Sequence, residues 1–247
     1  MIVDAHVHLW DPGVLDYPWL PDALRFAHTS FEGRAVVVEA DAVGDELGWL
    51  ESLPGVEAIV AHAPLEKPCD LAALAARPLV RGVRRLLQGE PDAVFDAVRP
   101  NVRALAEHGL PFDACITQDQ MHKLIALVGA CEETMFVLDH CGKPHALDPW
   151  RGQLSELASR ENVVCKLSGL TTEVADPRPY LEHALDVFGP ERCLFGSDWP
   201  VASLATTYEH WLETVSGLLG EGERQTVLAA TAERVYRLSA VTNQEER

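Results

Sequence analysis

Eight short runs rich in β-branched residues recur along this chain, and their alternation with helix-forming segments limits the folds open to it. We predict strands at Ile2–Val7, Ala35–Glu39, Val56–Ala61, Val80–Leu87, Leu110–Ile116, Met135–His140, Val163–Leu167 and Arg192–Ser197. Strands that alternate with helices form parallel βαβ units. The length of 247 residues suits a barrel of eight such units, which takes about 250 residues. The sequence therefore predicts the α/β class and a single (β/α)₈ TIM barrel over residues 1–240, with a polar tail over residues 241–247.

The segments between these runs carry helical patterns of unequal clarity. The clearest predicted helices are Asp92–His108, Gln118–Cys131, Arg178–Phe188, Thr206–Leu219 and Glu223–Leu238; the segments after the first and third strands are weaker. The alternative is an open doubly wound sheet, which typically has a glycine-rich turn after its first strand. Here the first strand ends in His-Val-His and no Gly-x-Gly-x-x-Gly motif occurs, which favours the barrel.

Charge and cysteine content exclude several classes of partner. The chain has 20 basic and 38 acidic residues, a formal net charge of −18, which is unsuited to nucleic acid or to an anionic membrane surface. It has no apolar run of the roughly 20 residues that span a bilayer. Its first residues lack a basic leader, and its 6 cysteines form no Cys-x-x-Cys pair, which is typical of reduced cytosolic thiols. We expect a cytoplasmic protein that acts on a small molecule, and the sequence leaves a homo-oligomer open.

Ionisable residues stand near the end of nearly every predicted strand, where (β/α)₈ barrels carry their functional groups. They are His6 and His8, Glu39, His62, Arg84, Asp113, His140, Lys166 and Asp198. Strand interiors are normally apolar, so this placement indicates a site at one end of the barrel.

Four of these residues predict a catalytic centre. His6 and His8 are two residues apart, so both side chains lie on one face of a strand and can reach one cation; a hydrogen-bonded pair is the structural alternative. Asp198, in FGSDWPV, suits a general base, although Asp also caps helices. We expect His140 to point into the barrel mouth, with Asp139 as its supporting partner.

Other strand-end residues have less specific predicted roles. Glu39 is a candidate metal ligand, substrate contact or paired surface charge. His62 is a candidate substrate contact. An ammonium within a strand needs an anion, and the candidates for Lys166 are a substrate oxygen, Asp198 or Glu39.

Two tryptophans and an arginine complete the predicted substrate contacts. Arg84 is expected to point inward from the fourth strand. Trp10 stands two residues after His8, and Trp199 directly follows Asp198, so each is a candidate wall of the substrate pocket, with plain packing as the alternative.

Five segments in series resemble the amidohydrolase superfamily, in particular the amidohydrolase-2 branch that holds sugar-acid lactonases and 2-pyrone-4,6-dicarboxylate lactonase. The segments are DAHVHLWDP (Asp4–Pro12), RGVRRLLQGEPD (Arg81–Asp92), VLDHCGKP (Val137–Pro144), VVCKLSGL (Val163–Leu170) and FGPERCLFGSDWPV (Phe188–Val201). They span almost the whole chain.

The resemblance implies a hydrolase that opens a lactone ring, with a role in carbohydrate catabolism. It places His6 and His8 at the metal position, His140 at the strand-six position and Asp198 as the base. The bridging carboxylated lysine of the superfamily has no counterpart in VRRLLQ, so we expect one divalent metal, zinc or manganese, and metal-free catalysis stays open. The alternatives are a metal-dependent decarboxylase of a cyclic or aromatic acid and a non-enzymatic binding protein.

Overall fold

A computed structural model describes residues 1–239 as a single barrel, and the predicted tail over residues 241–247 lies outside these residues. Eight strands follow one another around the sheet in chain order, and each pairs in parallel with the next. They are β1 (Val3–Val7), β2 (Arg34–Val38), β3 (Ile59–His62), β4 (Val80–Arg84), β5 (Phe112–Ala114), β6 (Phe136–Leu138), β7 (Val163–Leu167) and β8 (Cys193–Phe195). The predicted (β/α)₈ barrel is confirmed.

Helices connect these strands on the outside of the barrel. They are α1 (Glu46–Ser52), α2 (Leu71–Ala75), α3 (Asp92–Leu105), α4 (Met121–Ala130), α5 (Leu147–Ala158), α6 (Arg178–Phe188), α7 (Tyr208–Ser216), α8 (Glu221–Gln225) and α9 (Thr231–Val235). A π-helical segment, Thr226–Ala230, joins α8 to α9. β1 leads instead into a long loop over residues 8–33 with a 3₁₀ turn at Asp22–Leu24, in line with the weak helical pattern there. Among residues 1–239, the helices are too short or too polar to cross a bilayer.

The barrel has an apolar layer on each side of its sheet. Outward-facing strand residues pack against the helices, while small inward-facing residues such as Val36, Val60 and Val164 fill the interior. Ala232 and Tyr236, from the last helical segment, join this inner layer. Arg84 at the end of β4 and Lys166 near the end of β7 are buried polar residues, so a polar site can form toward this end of the barrel.

The barrel closes between β1 and β8 through irregular contacts. The amide of Asp198 donates to the carbonyl of His6 at 2.9 Å, and the amide of His8 donates to the carbonyl of Trp199 at 2.8 Å. The Asp4 carboxylate reinforces this seam, since its Oδ1 accepts from the amides of His6 (3.1 Å) and Ser197 (2.9 Å). The seam therefore brings residues from the two ends of the chain side by side.

Candidate active site

Two histidines and an aspartate converge at the seam. His6 Nε2 lies 3.2 Å from His8 Nε2, and Asp198 Oδ1 lies 3.7 Å from His6 Nε2 and 3.5 Å from His8 Nε2. All three side chains are buried. The two histidines share one face, as their spacing predicts, and Asp198 reaches them from a left-handed backbone conformation with φ of 61°.

The second ring nitrogen of each histidine determines what the pair can bind. His8 Nδ1 lies 2.8 Å from the carbonyl oxygen of Val38, and His6 Nδ1 lies 3.3 Å from Asp139 Oδ1. The Val38 carbonyl accepts from Nδ1–H of His8, which leaves the Nε2 lone pair of His8 facing His6. His6 Nδ1 also lies 3.2 Å from the Lys166 ammonium, and the two Nε2 atoms need a proton or a cation between them. Donor atoms around a tetrahedral zinc are about 3.4 Å apart, and histidine ligands usually donate their other N–H in this way. The three residues therefore fit one divalent ion.

The end of β6 delivers two side chains to the same place. The strand ends at Leu138, and His140 adopts a left-handed conformation with φ of 54°. Asp139 consequently reaches His6, while the ring centroid of His140 lies 4.6 Å from that of His6. Burial lowers the pKa of His140 to about 4, and its Nδ1 lies 2.9 Å from Ser168 Oγ. At neutral pH His140 is an uncharged ring that can donate one hydrogen bond.

Lys166 lies beneath the histidine pair. Its side chain has 0% exposure, and its Nζ is 2.5 Å from Asp113 Oδ2, 3.0 Å from Asp139 Oδ1 and 3.2 Å from His6 Nδ1. Burial opposes its charge, but the two carboxylates raise the pKa of Lys166 above its usual value. The anions that pair with Lys166 are therefore Asp113 and Asp139, so the prediction of Asp198 or Glu39 was wrong. The predicted contact with a substrate is also wrong, because Lys166 is enclosed within the barrel.

A cavity of about 350 Å³ opens beside the three converging residues. His8, His140 and Asp198 line one part of it, and its other wall residues include Trp19, Asp41, Arg84, Gln88 and Lys143. The predicted inward direction of Arg84 agrees with this placement. A single chamber thus contains metal-ligating, hydrogen-bonding and aromatic groups.

Both cations of the cavity are already engaged by acceptors. Arg84 Nη2 donates to the carbonyl oxygen of Glu39 at 2.5 Å, and its Nη1 lies 4.0 Å from Asp139 Oδ2. Lys143 Nζ lies 3.5 Å from Glu173 Oε1. The cavity therefore offers hydrogen-bond donors whose charge is largely compensated.

Glu39 and His62 lie at a separate, smaller cavity of about 180 Å³. The Glu39 carboxylate accepts from the backbone amide of His62 at 2.5 Å, and burial raises the pKa of Glu39 to about 8. Among residues 1–239, the clusters that can ligate a metal are His6 with His8 and Asp198, and His6 with Asp139 and His140. The metal role predicted for Glu39 is therefore corrected, because its carboxylate is used to bind the neighbouring strand. His62 lines this smaller cavity and not the main one, whereas Asp41 borders both cavities.

The two predicted tryptophans pack behind the cavity instead of lining it. Trp10 has 0% exposure, and its indole N–H donates to the carbonyl of Phe26 at 3.0 Å. Trp199 lies beside His28, with ring centroids 6.3 Å apart. Sequence reasoning missed Trp19, which does line the cavity and packs edge-on against Trp10. Its only signal is its place in the long loop after β1, whose path the sequence pattern does not reveal.

Comparison with known proteins identifies similar chains over nearly the full length. A model of the amidohydrolase family matches residues 3–238. An L-fucono-1,5-lactonase from Burkholderia multivorans is 35% identical over 286 aligned positions that cover 96% of each protein. The crystal structure of an amidohydrolase from Burkholderia multivorans with bound zinc has a TM-score of 0.84 and 30% identity, covering 97% of this chain and 100% of that one. A 5-carboxyvanillate decarboxylase from Sphingomonas paucimobilis, with a TM-score of 0.65, 12% identity and coverage of 96% and 99%, is similar in fold alone.

Proposed function

This chain belongs to the amidohydrolase family, and we propose that it hydrolyses the ester bond of a lactone and so opens the ring of a sugar acid. The observation that carries the proposal is the convergence of His6, His8 and Asp198 beside a cavity that also presents His140. Together these groups can activate water and stabilise charge on a carbonyl oxygen. The lactonase from Burkholderia multivorans, at 35% identity, supports the substrate class.

The charge of the cavity favours a hydroxylated lactone over a carboxylated pyrone. A dicarboxylate needs cations that are free to pair with it, because a buried unpaired charge is costly. Arg84 and Lys143 already face acidic groups or a carbonyl oxygen. Hydroxyl groups, in contrast, need only hydrogen-bond donors and acceptors, which this cavity supplies.

The reaction begins with a proton transfer to Asp198. Asp198 Oδ1 faces the Nε2 atoms of His6 and His8 at 3.7 Å and 3.5 Å, and a carboxylate in this position can act as a general base. In our proposal Asp198 takes a proton from the attacking water. It then returns this proton to the ring oxygen when the carbon–oxygen bond breaks, which leaves a hydroxy acid as the product.

His140 stabilises the developing negative charge. In the tautomer that our proposal requires, the Ser168 hydroxyl donates to Nδ1 of His140, which leaves Nε2–H to donate to the lactone carbonyl oxygen. A donor of this kind contributes roughly 3–4 kcal/mol to lowering the barrier. A divalent ion held by His6, His8 and Asp198 would, when bound, polarise the carbonyl and make water a better nucleophile.

Proton release from a panel of aldonolactones and carboxylated pyrones, followed with a pH indicator, tests this function. We expect the wild-type protein to hydrolyse at least one aldonolactone above the spontaneous rate. Asp198→Asn should lower that rate roughly 10²–10⁴-fold, whereas Asp186→Asn, on the exposed face of α6, should retain it. A folded Asp198→Asn protein with full activity would contradict the assignment, and CO₂ release from an aromatic acid would favour the decarboxylase.

A further inference from the structure

Asp41 is an accessible carboxylate at the mouth of β2 that the proposed reaction does not use. It lines the main cavity, and its side chain is 53% exposed. Its Oδ1 lies 3.7 Å from His62 Nδ1, which is too long for a hydrogen bond. A carboxylate has about four acceptor positions, so Asp41 retains the capacity to accept from a bound molecule.

The backbone of Asp41 is held in an uncommon conformation. Its φ is 62°, in the left-handed region that residues with side chains rarely adopt. Such conformations persist where the surrounding structure imposes them, and they concentrate at functional sites. Here the neighbouring segments hold it, since the amides of Ala40 and Ala42, on either side, donate to the buried Glu46 carboxylate at 2.7 Å and 2.9 Å.

Trp19 is fixed to the same strand end. Its indole N–H donates to the carbonyl of Ala40 at 2.5 Å, and its ring packs edge-on against Trp10 with centroids 6.0 Å apart. Trp19 nevertheless remains 44% exposed and lines the cavity. The cavity thus has an aromatic ring, anchored by a hydrogen bond to the strand end, next to an accessible carboxylate.

This combination matches the two surfaces of a sugar ring, which carries hydroxyl donors around its edge and apolar C–H groups on its faces. We propose that Asp41 and Trp19 form a recognition wall for the ring of a polyhydroxylated lactone. Asp41 accepts hydrogen bonds from ring hydroxyls, and Trp19 stacks on the C–H face. The inference rests on the proposed lactone hydrolysis and adds the residues that select the substrate.

Two lactones, one with and one without hydroxyl groups, distinguish a loss of substrate recognition from a loss of the chemical step. The wild-type protein and Asp41→Ala are assayed on L-fucono-1,5-lactone and on δ-valerolactone, which has the same ring size and no hydroxyl groups. Losing hydrogen bonds to a charged acceptor lowers kcat/KM for the hydroxylated lactone by about 10- to 100-fold. The kcat/KM of Asp41→Ala for δ-valerolactone should stay within about 3-fold of the wild-type value, because that ring has no hydroxyl group to donate a hydrogen bond to Asp41.

Asp45→Asn is the matched control. Asp45 lines the smaller cavity, so the variant removes one negative charge from the same neighbourhood. Its Oδ1 accepts from the amide of Gly48 at 2.9 Å as the N-cap of α1, and asparagine also serves as an N-cap. We expect Asp45→Asn to retain the wild-type ratio of the two kcat/KM values.

Trp19 is tested by a pair of variants with a melting curve as the check on folding. Trp19→Ala should raise KM for L-fucono-1,5-lactone while kcat changes little, and Trp19→Phe should restore most of the binding because it keeps an aromatic face. An unchanged KM in folded Trp19→Ala would overturn the stacking role.

The outcomes distinguish the recognition wall from the function on which it rests. Hydrolysis by the wild type with an equal loss on both lactones in Asp41→Ala, or with no loss on either, overturns the wall and leaves lactone hydrolysis intact. A wild-type protein that opens no aldonolactone of the panel overturns the proposed function, and the wall with it.

Discussion

At the scale of single residues, Lys166 shows how a charge is accommodated inside a barrel. Its ammonium contacts Asp113 and Asp139, and the Tyr236 hydroxyl donates to Asp113 Oδ2 at 2.7 Å. Burial opposes a charge on Asp139, but Lys166 and His6 hold its pKa well below the usual value. The network is thus a set of mutually compensating charges that also fixes the Asp139 carboxylate facing His6.

Removing the cation from this network should be costly. Lys166→Met removes the ammonium that contacts both buried carboxylates, Asp113 and Asp139, and breaking a buried pair in this way costs about 3–5 kcal/mol of the free energy of unfolding. Urea unfolding measures this loss. The control is Lys123→Met, which removes the Lys123–Asp92 pair at the surface and should cost at most about 1 kcal/mol. Equal losses in the two variants would contradict the network.

Glu39 gives a prediction about pH. Burial raises the pKa of its carboxyl from 4.5 to about 8, so the folded protein binds this proton more tightly than the unfolded chain does. The stabilising contribution is therefore complete below pH 4.5 and is lost as the pH rises to about 8. Glu39→Gln cannot titrate, so its melting temperature should fall less than that of the wild type between pH 5 and pH 9. Parallel curves for the two proteins would show that Glu39 is not responsible.

At the scale of structural elements, the ends of the strands place the functional side chains. His140, Cys141 and Lys143 all have positive φ, which turns the chain sharply after β6 and lets both Asp139 and His140 reach the site. After β7, Gly169 makes room for His140, since a Cβ at this position would lie 2.4 Å from His140 Nδ1. The loop after β7 therefore sets the position of the His140 side chain, which follows β6.

Gly169→Ala should impair the reaction more than the fold. The added methyl group displaces the His140 ring, and alanine is also strained at a φ of 63°. We expect kcat/KM to fall by at least about 10-fold, as hydrogen bonding to the carbonyl is lost. Gly152→Ala in α5, where a Cβ would have open space, should instead retain activity and gain about 0.5–1 kcal/mol of stability. Full activity of folded Gly169→Ala would contradict the role of His140.

At the scale of the whole molecule, the proposed metal ligands come from the first and last strands. His6 and His8 belong to β1 and its end, whereas Asp198 follows β8. One ion bound to all three would therefore hold the two ends of the barrel together in the folded state alone. Metal binding should consequently stabilise the fold as well as the site.

Zinc added to chelator-treated protein should raise the melting temperature. Ligand at 100 times its Kd contributes about 2.7 kcal/mol, which is a rise of roughly 5–10 °C for a protein of this size. His8→Ala should abolish most of the shift, and His210→Ala, in the exposed part of α7, should retain it. A wild-type melting temperature that zinc leaves unchanged would contradict the site, whatever the activity.

Much of this molecule follows from local patterns in the sequence. β-branched runs at regular intervals determined the eight strands, and the i, i+2 spacing of His6 and His8 placed both rings on one face because side chains alternate along a strand. The strand-end positions of His140 and Asp198 pointed to one rim of the barrel. Such features depend on neighbours within a few residues, so the sequence alone is sufficient to predict them.

The tertiary structure decided which buried side chains pair with each other and which residues line the cavity. Lys166 pairs with Asp113, which is 53 residues away along the chain. The carboxyl group of Glu39 accepts a hydrogen bond from the amide of His62. Trp19 instead of Trp10 lines the cavity because the loop after β1 folds back over the barrel. These outcomes depend on the register between neighbouring strands and on the packing of a long loop. The sequence pattern does not reveal them, because contacts between distant segments form only when the barrel closes.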